Sequence, residues 1–222
     1  MVSLLDIIGP VMVGPSSSHT AGACRLGLLA RGLVGGTPHR ARIELHGSFA
    51  RTGEGHGTDK ALAGGLLGFR PDDERLRDAV GIAEREGLDY HFEKTTIADD
   101  AHPNTVRLTV ERGEQRAVMV GSSLGAGRVR VTEIDGFPVD VSGNLWAIVL
   151  VAEDRPGSVA AICAILAAAG ANLATVRVTR KERGGDAFMV LELDDQADVA
   201  TVSSIAGLPW VRWARALDKV AA

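Results

Sequence analysis

The chain has 222 residues, of which 45% are hydrophobic and 23% charged, with a formal net charge of −4 at pH 7. This composition supplies a packed core, argues against disorder, and offers no basic field for nucleic acid. Residues 1–8 lack a basic leader and no apolar stretch reaches membrane-spanning length, so the sequence reads as cytoplasmic, with neither nucleic acid nor membrane as partner.

Taken in chain order, residues 3–8 form a short apolar segment of about one helical turn, and Gly14-Pro15 breaks the chain. The spacing of Leu26, Leu29 and Leu33 predicts a helix over 21–34, stopped by Gly35-Gly36. Residues 42–49 alternate as a strand, and 51–57 read as a Gly-rich loop. Thr58 or Asp59 caps a helix through Leu67, and 72–86 read as a charged, exposed helix. Strands follow at 105–111 and 115–120, joined at Gly113. A Gly-rich stretch at 121–127 precedes a strand at 129–134.

Ser142-Gly143-Asn144 marks a break that divides the chain into regions 1–142 and 145–222. Beyond it the pattern is regular. Residues 145–152 are a continuous apolar run, Ser158 caps a helix lined by Val159, Ile162, Cys163 and Leu166, and Gly170 ends it. Strands at 173–179 and 188–193 flank a Gly184-Gly185 hairpin turn, and a helix at 199–205 leads to a strand at 210–216. This βαββαβ order is ferredoxin-like. The expected fold class is therefore α+β: an N-terminal mixed α/β domain followed by a ferredoxin-like one.

Three segments carry candidate chemistry. GPSSSHTAG, residues 14–22, places Ser16, Ser17, Ser18, His19 and Thr20 at a helix start. Hydroxyls and free N–H groups at that dipole end suit a small carboxylate or phosphate; the same residues also read as an over-supplied helix cap. GEGHGTD, residues 53–59, sets His56 between two glycines, as a general base in a cleft or as a solvated loop histidine. In His102-Pro103-Asn104 the proline restrains a turn before a strand.

A metal site is the rival use of three histidines, but zinc-type His or Cys pairs are absent, so no metal is assigned to this chain. Two cysteines, Cys24 and Cys163, are too few for an iron–sulfur cluster. GSSLGAG, residues 121–127, precedes a predicted strand and not a helix, so it fails the context of a dinucleotide loop.

EDRPGSVAAICAILAAAGANLATVRVTR, residues 153–180, resembles the ACT domain, a module that binds amino acids in regulated metabolic enzymes. The resemblance implies a ligand near Gly157 and Asn172; on backbone grounds alone both residues also read as turn formers. Across the whole chain, GPVMVGPSSSHTAG, GSFARTGEGHGTDKAL, HPNT and GSSLGAG, followed by an ACT module, resemble the beta subunit of iron–sulfur L-serine dehydratases. One departure is Ala126, which stands where the family often has glycine, and a positive φ there is not expected.

That resemblance implies conversion of L-serine to pyruvate and ammonia without pyridoxal phosphate. It implies an alpha subunit whose cysteines ligate a [4Fe–4S] cluster, and an active site shared between subunits. The substrate carboxylate would dock on Ser16, Ser17, Ser18, His19 and Thr20. His56 would take the Cα proton, with His102 and Asn104 positioning substrate or leaving hydroxide. The ACT domain would pair with a second copy. Two other readings stay open: an amino-acid sensor without chemistry, and a stand-alone metal hydrolase.

Overall fold

A computed structural model describes residues 10–221, the side chain of Glu54 excepted. The turn expected at 3–8 lies outside the described residues. A π-helical turn, Ser17–Gly22, runs into α1 (Ala23–Leu33). Next come β1 (Arg40–Leu45), α2 (Gly47–Thr52), a 3-10 turn (Glu54–His56) and α3 (Thr58–Leu67). A second 3-10 turn (Glu74–Asp78), α4 (Ala79–Arg85) and β2 (Asp89–Lys94) follow. Then β3 (Thr105–Arg112), β4 (Gln115–Gly125), β5 (Arg128–Ile134) and β6 (Phe137–Val141) complete a six-stranded sheet of order β2-β1-β3-β4-β5-β6. β1 and β2 pair in parallel and the other neighbours are antiparallel.

Alternation decides which face is buried. Ala41, Ile43 and Leu45 of β1, Leu108 and Val110 of β3, and Met119 of β4 point into one core with Leu26 and Leu29 of α1 and Leu62 and Leu66 of α3. α1 and α3 touch closely because both contact positions are glycine. A Cβ on Gly27 would sit 2.6 Å from the Leu62 carbonyl, and one on Gly65 would collide with the Cys24 carbonyl. The opposite sheet face carries ion pairs, including Arg42–Glu93 at 2.7 Å and Arg107–Glu44 at 3.7 Å. That division of apolar and charged faces matches a half-solvated sheet.

The second unit comprises β7 (Trp146–Glu153), α5 (Ser158–Ala168), β8 (Leu173–Arg180), β9 (Asp186–Leu193), α6 (Val199–Ala206) and β10 (Val211–Leu217). Its four-stranded antiparallel sheet has the order β10-β7-β9-β8. Ile148 and Leu150 of β7 face α5 and α6 through Ile162, Leu166 and Ile205. The alternate residues Val149 and Val151, with Phe188 and Val190 of β9, face the first core. Burial on both faces explains why the segment is a continuous apolar run. Among the described residues no helix is long and apolar enough to cross a membrane.

Several local expectations change. The strand expected at 42–49 ends at Leu45, and residues 47–52 form α2. Gly47 adopts φ 57°, turning the chain, and the Ser48 and Phe49 N–H groups donate to the Pro103 carbonyl at the helix start. Phe49 is fully buried and anchors that helix; truncating such a ring costs roughly 3–5 kcal/mol.

The Gly-rich stretch expected as a loop is mostly strand: β4 runs to Gly125 with residues 121–123 buried. The charged helix at 72–86 divides into a 3-10 turn and α4. β2 and β6 carry no clear signal in sequence. β6 includes Pro138, which an edge strand tolerates. Ala126 does adopt a positive φ, 51°, and its N–H donates to the Ser17 hydroxyl at 3.2 Å. That hydrogen bond and the tight turn into β5 offset the strain of a left-handed alanine.

Candidate active site

The site forms where three irregular segments meet: the π-helical turn, the α2 start and the loop before α3. Ser16 caps the π-helical turn, its hydroxyl accepting from the His19 N–H at 3.2 Å. A π-helical turn widens the local repeat, a device common at functional sites. It buries His19 and Thr20 and leaves Ser16, Ser17 and Ser18 half-buried.

His19 is held on every side. Its ring stands edge-on to Phe49 with centroids 5.2 Å apart. Nε2 lies 3.2 Å from the Thr52 hydroxyl and 3.4 Å from that of Ser48, and Nδ1 lies 3.5 Å from the Ser16 hydroxyl. The Thr52 hydroxyl donates to the Ser48 carbonyl at 3.0 Å, one turn back. With that hydrogen committed, the Thr52 oxygen accepts from His19 Nε2–H, which assigns the tautomer. Burial, and second the neighbouring His56 ring, hold the His19 pKa below the usual histidine value. His19 is therefore a neutral, oriented imidazole.

His56 lies beside it, ring centroids 5.0 Å apart, and is exposed. Its Nδ1 is 2.9 Å from the Thr52 carbonyl. A carbonyl only accepts, so Nδ1 carries the hydrogen and Nε2 of the neutral ring keeps its lone pair. Gly57, with φ 71°, then turns the chain into α3. Thr52 thus ties the two imidazoles together, hydroxyl to His19 and carbonyl to His56.

His56 lines a cleft of about 440 Å³ together with Gly14, Thr20, Lys60 and Arg77. The Thr20 hydroxyl points to the His56 carbonyl at 3.5 Å, the long limit of a hydrogen bond.

The remaining expected residues distribute as follows. The Ser17 hydroxyl is engaged by the Ala126 N–H, and Ser18 lies against Gly125, where an added Cβ would be 3.8 Å from its hydroxyl. His102 lines a different cavity, of about 450 Å³, with Ser122, Leu124 and Arg130. Its Nδ1 accepts the Asn104 N–H at 3.1 Å. Asn104 has its side-chain oxygen buried with no partner. The two parts are connected through backbone: the Pro103 carbonyl accepts the Ser48 N–H at 2.6 Å, and a Cβ on Gly47 would lie 2.5 Å from that carbonyl oxygen.

Ser48, Thr52, Lys60 and Arg77 carry no motif signal in the sequence. Ser48 and Thr52 form an i, i+4 pair only in a helix, and the strand and loop expected over 42–57 conceal that pairing.

Among the described residues no group of three or more His, Cys, Asp or Glu is arranged to hold a metal ion. Cys24 is buried, its Sγ directed to the Phe69 carbonyl at 3.1 Å, and burial pushes its thiol up to about 12. Cys163 lies on α5, in the other unit. These two thiols do not fit an iron–sulfur cluster.

Gly157 takes φ 83° before α5, with nothing within 4 Å of an added Cβ. Asn172 lies beyond the other end of α5, its amide donating to Asp194 at 2.6 Å. The 11 residues of α5 separate the two positions by about 16 Å at the helical rise per residue.

Fold and site together define an α+β enzyme subunit with paired imidazoles and an appended ferredoxin-like module. The serine dehydratase beta chain family matches residues 3–133, and the ACT domain matches residues 146–208. Over 207 residues the chain is 43% identical to the probable L-serine dehydratase beta chain of Bacillus subtilis strain 168, covering 93% of this chain and 94% of that one. It is 35% identical to the L-serine dehydratase beta chain of Peptoniphilus asaccharolyticus, covering 93% of each. A D-3-phosphoglycerate dehydrogenase of Synechocystis is 29% identical over 84% of this chain and 34% of its own length. The chain belongs to the serine dehydratase beta chain family and carries an ACT domain.

Proposed function

We propose that this chain is the beta subunit of a cytoplasmic, two-subunit L-serine ammonia-lyase, with its active site completed by an alpha subunit. The observation that carries this reading is the His56–Thr52–His19 arrangement. His56 Nε2 has a free lone pair, and Nδ1 is fixed by the Thr52 carbonyl. Such an imidazole is placed to take a proton from the substrate Cα. The C–H electrons form the Cα–Cβ double bond as the Cβ–O bond breaks and hydroxide leaves. The resulting aminoacrylate tautomerises to an imine, and water releases pyruvate and ammonia.

His19, neutral and immobilised, borders the base and keeps a second positive charge away from it. The Ser16–Thr20 turn forms one wall of the substrate site. His102 and Asn104 stay in the proposal as groups that position substrate or hydroxide. Support for this comes from the Pro103 carbonyl, which is bonded to the start of α2 beside Ser48.

A [4Fe–4S] cluster held by the alpha subunit would supply Lewis acidity toward the leaving hydroxyl. This chain's own thiols do not fit such a cluster, so its part is confined to binding, proton abstraction and orientation.

Residues 1–142 form the substrate domain in this reading, and 145–222 the regulatory ACT domain, paired with a second copy. Gly157 and Asn172 stand at opposite ends of α5, so one chain alone does not combine them around a small ligand. Edge strand β8 also exposes Val176 and Val178, a surface suited to pairing with a second chain.

A non-catalytic amino-acid sensor is the second reading, favoured by the likeness to the Synechocystis dehydrogenase. Anaerobic co-expression with the alpha subunit decides between them. The lyase reading expects pyruvate from L-serine only when both chains are present. Serine binding with no pyruvate from a cluster-loaded complex would establish the sensor.

A further inference from the structure

The cleft beside His56 has an electrostatic bias that the hydroxyl-rich turn does not account for. It holds Lys60 from the first turn of α3 and Arg77 from the second 3-10 turn, and among its described lining residues there is no carboxylate. Lys60 forms no ion pair among the described residues. Among the described residues Arg77 has only a long contact to Glu74, 3.8 Å, between side chains 71% and 80% exposed. An ion pair that exposed is weak and is readily exchanged for a better anion. The Ser16 and Ser17 hydroxyls accept the His19 and Ala126 N–H groups, which leaves their O–H hydrogens to donate but supplies no positive charge.

We infer that Lys60 and Arg77 bind the carboxylate of the amino-acid substrate, placing its Cα at His56 Nε2. The inference deepens the lyase reading and rests on it. A 440 Å³ cleft admits a three-carbon amino acid with room for part of the partner subunit. Two cations on separate elements can grip one carboxylate from two directions, which fixes the rotation of Cα as well as its position. A carboxylate held beside two cations also makes the Cα proton easier to remove, since charge building on Cα is offset nearby. The two residues therefore act on specificity. Amino acids keep the grip, while analogues lacking the carboxylate lose it.

The test uses the co-expressed, cluster-loaded holoenzyme with Lys60→Met, Arg77→Met and the conservative Lys60→Arg. Both positions are exposed, so the folded state is expected to persist. Each Met variant should raise KM for L-serine about tenfold, the equivalent of one charge-assisted contact, while kcat falls by less than about threefold. Lys60→Arg should recover most of the loss. Inhibition by the product pyruvate should weaken in parallel, because its carboxylate uses the same cations.

Unchanged KM and unchanged pyruvate inhibition in both Met variants would overturn the inference and return the carboxylate to the Ser16–Thr20 turn. Loss of alpha-subunit binding on gel filtration, with KM unchanged in the complex that still forms, would overturn it equally, assigning the cations to the subunit interface. Failure of the lyase reading looks different: no variant and no wild type makes pyruvate.

Discussion

In the C-terminal unit polar side chains at caps and edges find partners, and the buried Glu192 of interior strand β9 accepts from the Thr175 hydroxyl at 2.6 Å. Asp198 caps α6, Asp154 takes the Arg180 guanidinium and the Gly184 N–H, and Asn172 pairs with Asp194 at the surface. In the N-terminal unit, five polar atoms are buried with no partner among the described residues: Arg25 Nε, Thr58 Oγ1, Asp59 Oδ1, Asn104 Oδ1 and Ser123 Oγ. Each such atom costs about 1–3 kcal/mol of stability. Two of them, on Thr58 and Asp59, lie two and three residues after His56, and a third belongs to the His102-Pro103-Asn104 turn. Under the proposed function, the unit with the candidate site leaves polar groups unpartnered around it, and among the described residues the ACT unit does not. The contrast separates a scaffold built for packing from one built to present unsatisfied groups.

Substitutions sharpen that contrast. After His56 itself, the largest effect is expected at His19. His19→Ala removes the ring that packs on Phe49 and borders His56, and kcat of the holoenzyme should fall about a hundredfold. Next is Gly47→Ala. It forces an alanine to φ 57° and places its Cβ against the Pro103 backbone, so urea unfolding should show a loss of more than about 1 kcal/mol. The equivalent change at Gly157 meets no atom within 4 Å and should cost only backbone strain, about 1 kcal/mol, with catalysis unchanged.

Thr52→Val keeps the carbonyl that holds His56 but deletes the hydroxyl on His19. It should lower kcat about tenfold, whereas Thr52→Ser restores the hydroxyl and the rate. The smallest expected effect is Asn172→Ala, within about 0.5 kcal/mol of wild-type stability because its hydrogen bond is exposed.

Acidity offers a further probe. The folded His19 pKa is depressed, so between it and the unfolded value of about 6.5 the unfolded chain binds more protons. The stability that follows from keeping His19 neutral is complete above about pH 6.5 and is lost as pH falls through the folded value. Denaturation curves at pH 7 and pH 5 should show this slope in the wild type and a shallower one in His19→Asn.

Periodicity made much of the fold legible. The continuous run in β7 and the Val159, Ile162 and Leu166 spacing of α5 each had one physical reading, because each packs against a complete layer. The site was legible as motifs and not as geometry. His19 and His56 stood out by composition, but their meeting depends on α2, which sequence alternation read as strand. That helix is set by Gly47 and by a hydrogen bond from a loop some 55 residues away, and neither leaves a local pattern. Nothing in the sequence marks Lys60 beyond its place in the helix that ends at Leu67. Only the closing of the Gly14 turn and the Arg77 turn around it makes a cleft. Ala126 shows the same limit: its positive φ follows from the Ser17 contact, not from its own preference.

The central claim is that His56 takes the Cα proton. The most direct test is L-serine turnover by the anaerobic holoenzyme carrying His56→Ala, with cluster content and subunit assembly matched to wild type. The account predicts a fall in kcat of about a thousandfold or more, within the range for removal of a general base, with the complex intact. Turnover within a few-fold of wild type would contradict it and move the base to another residue.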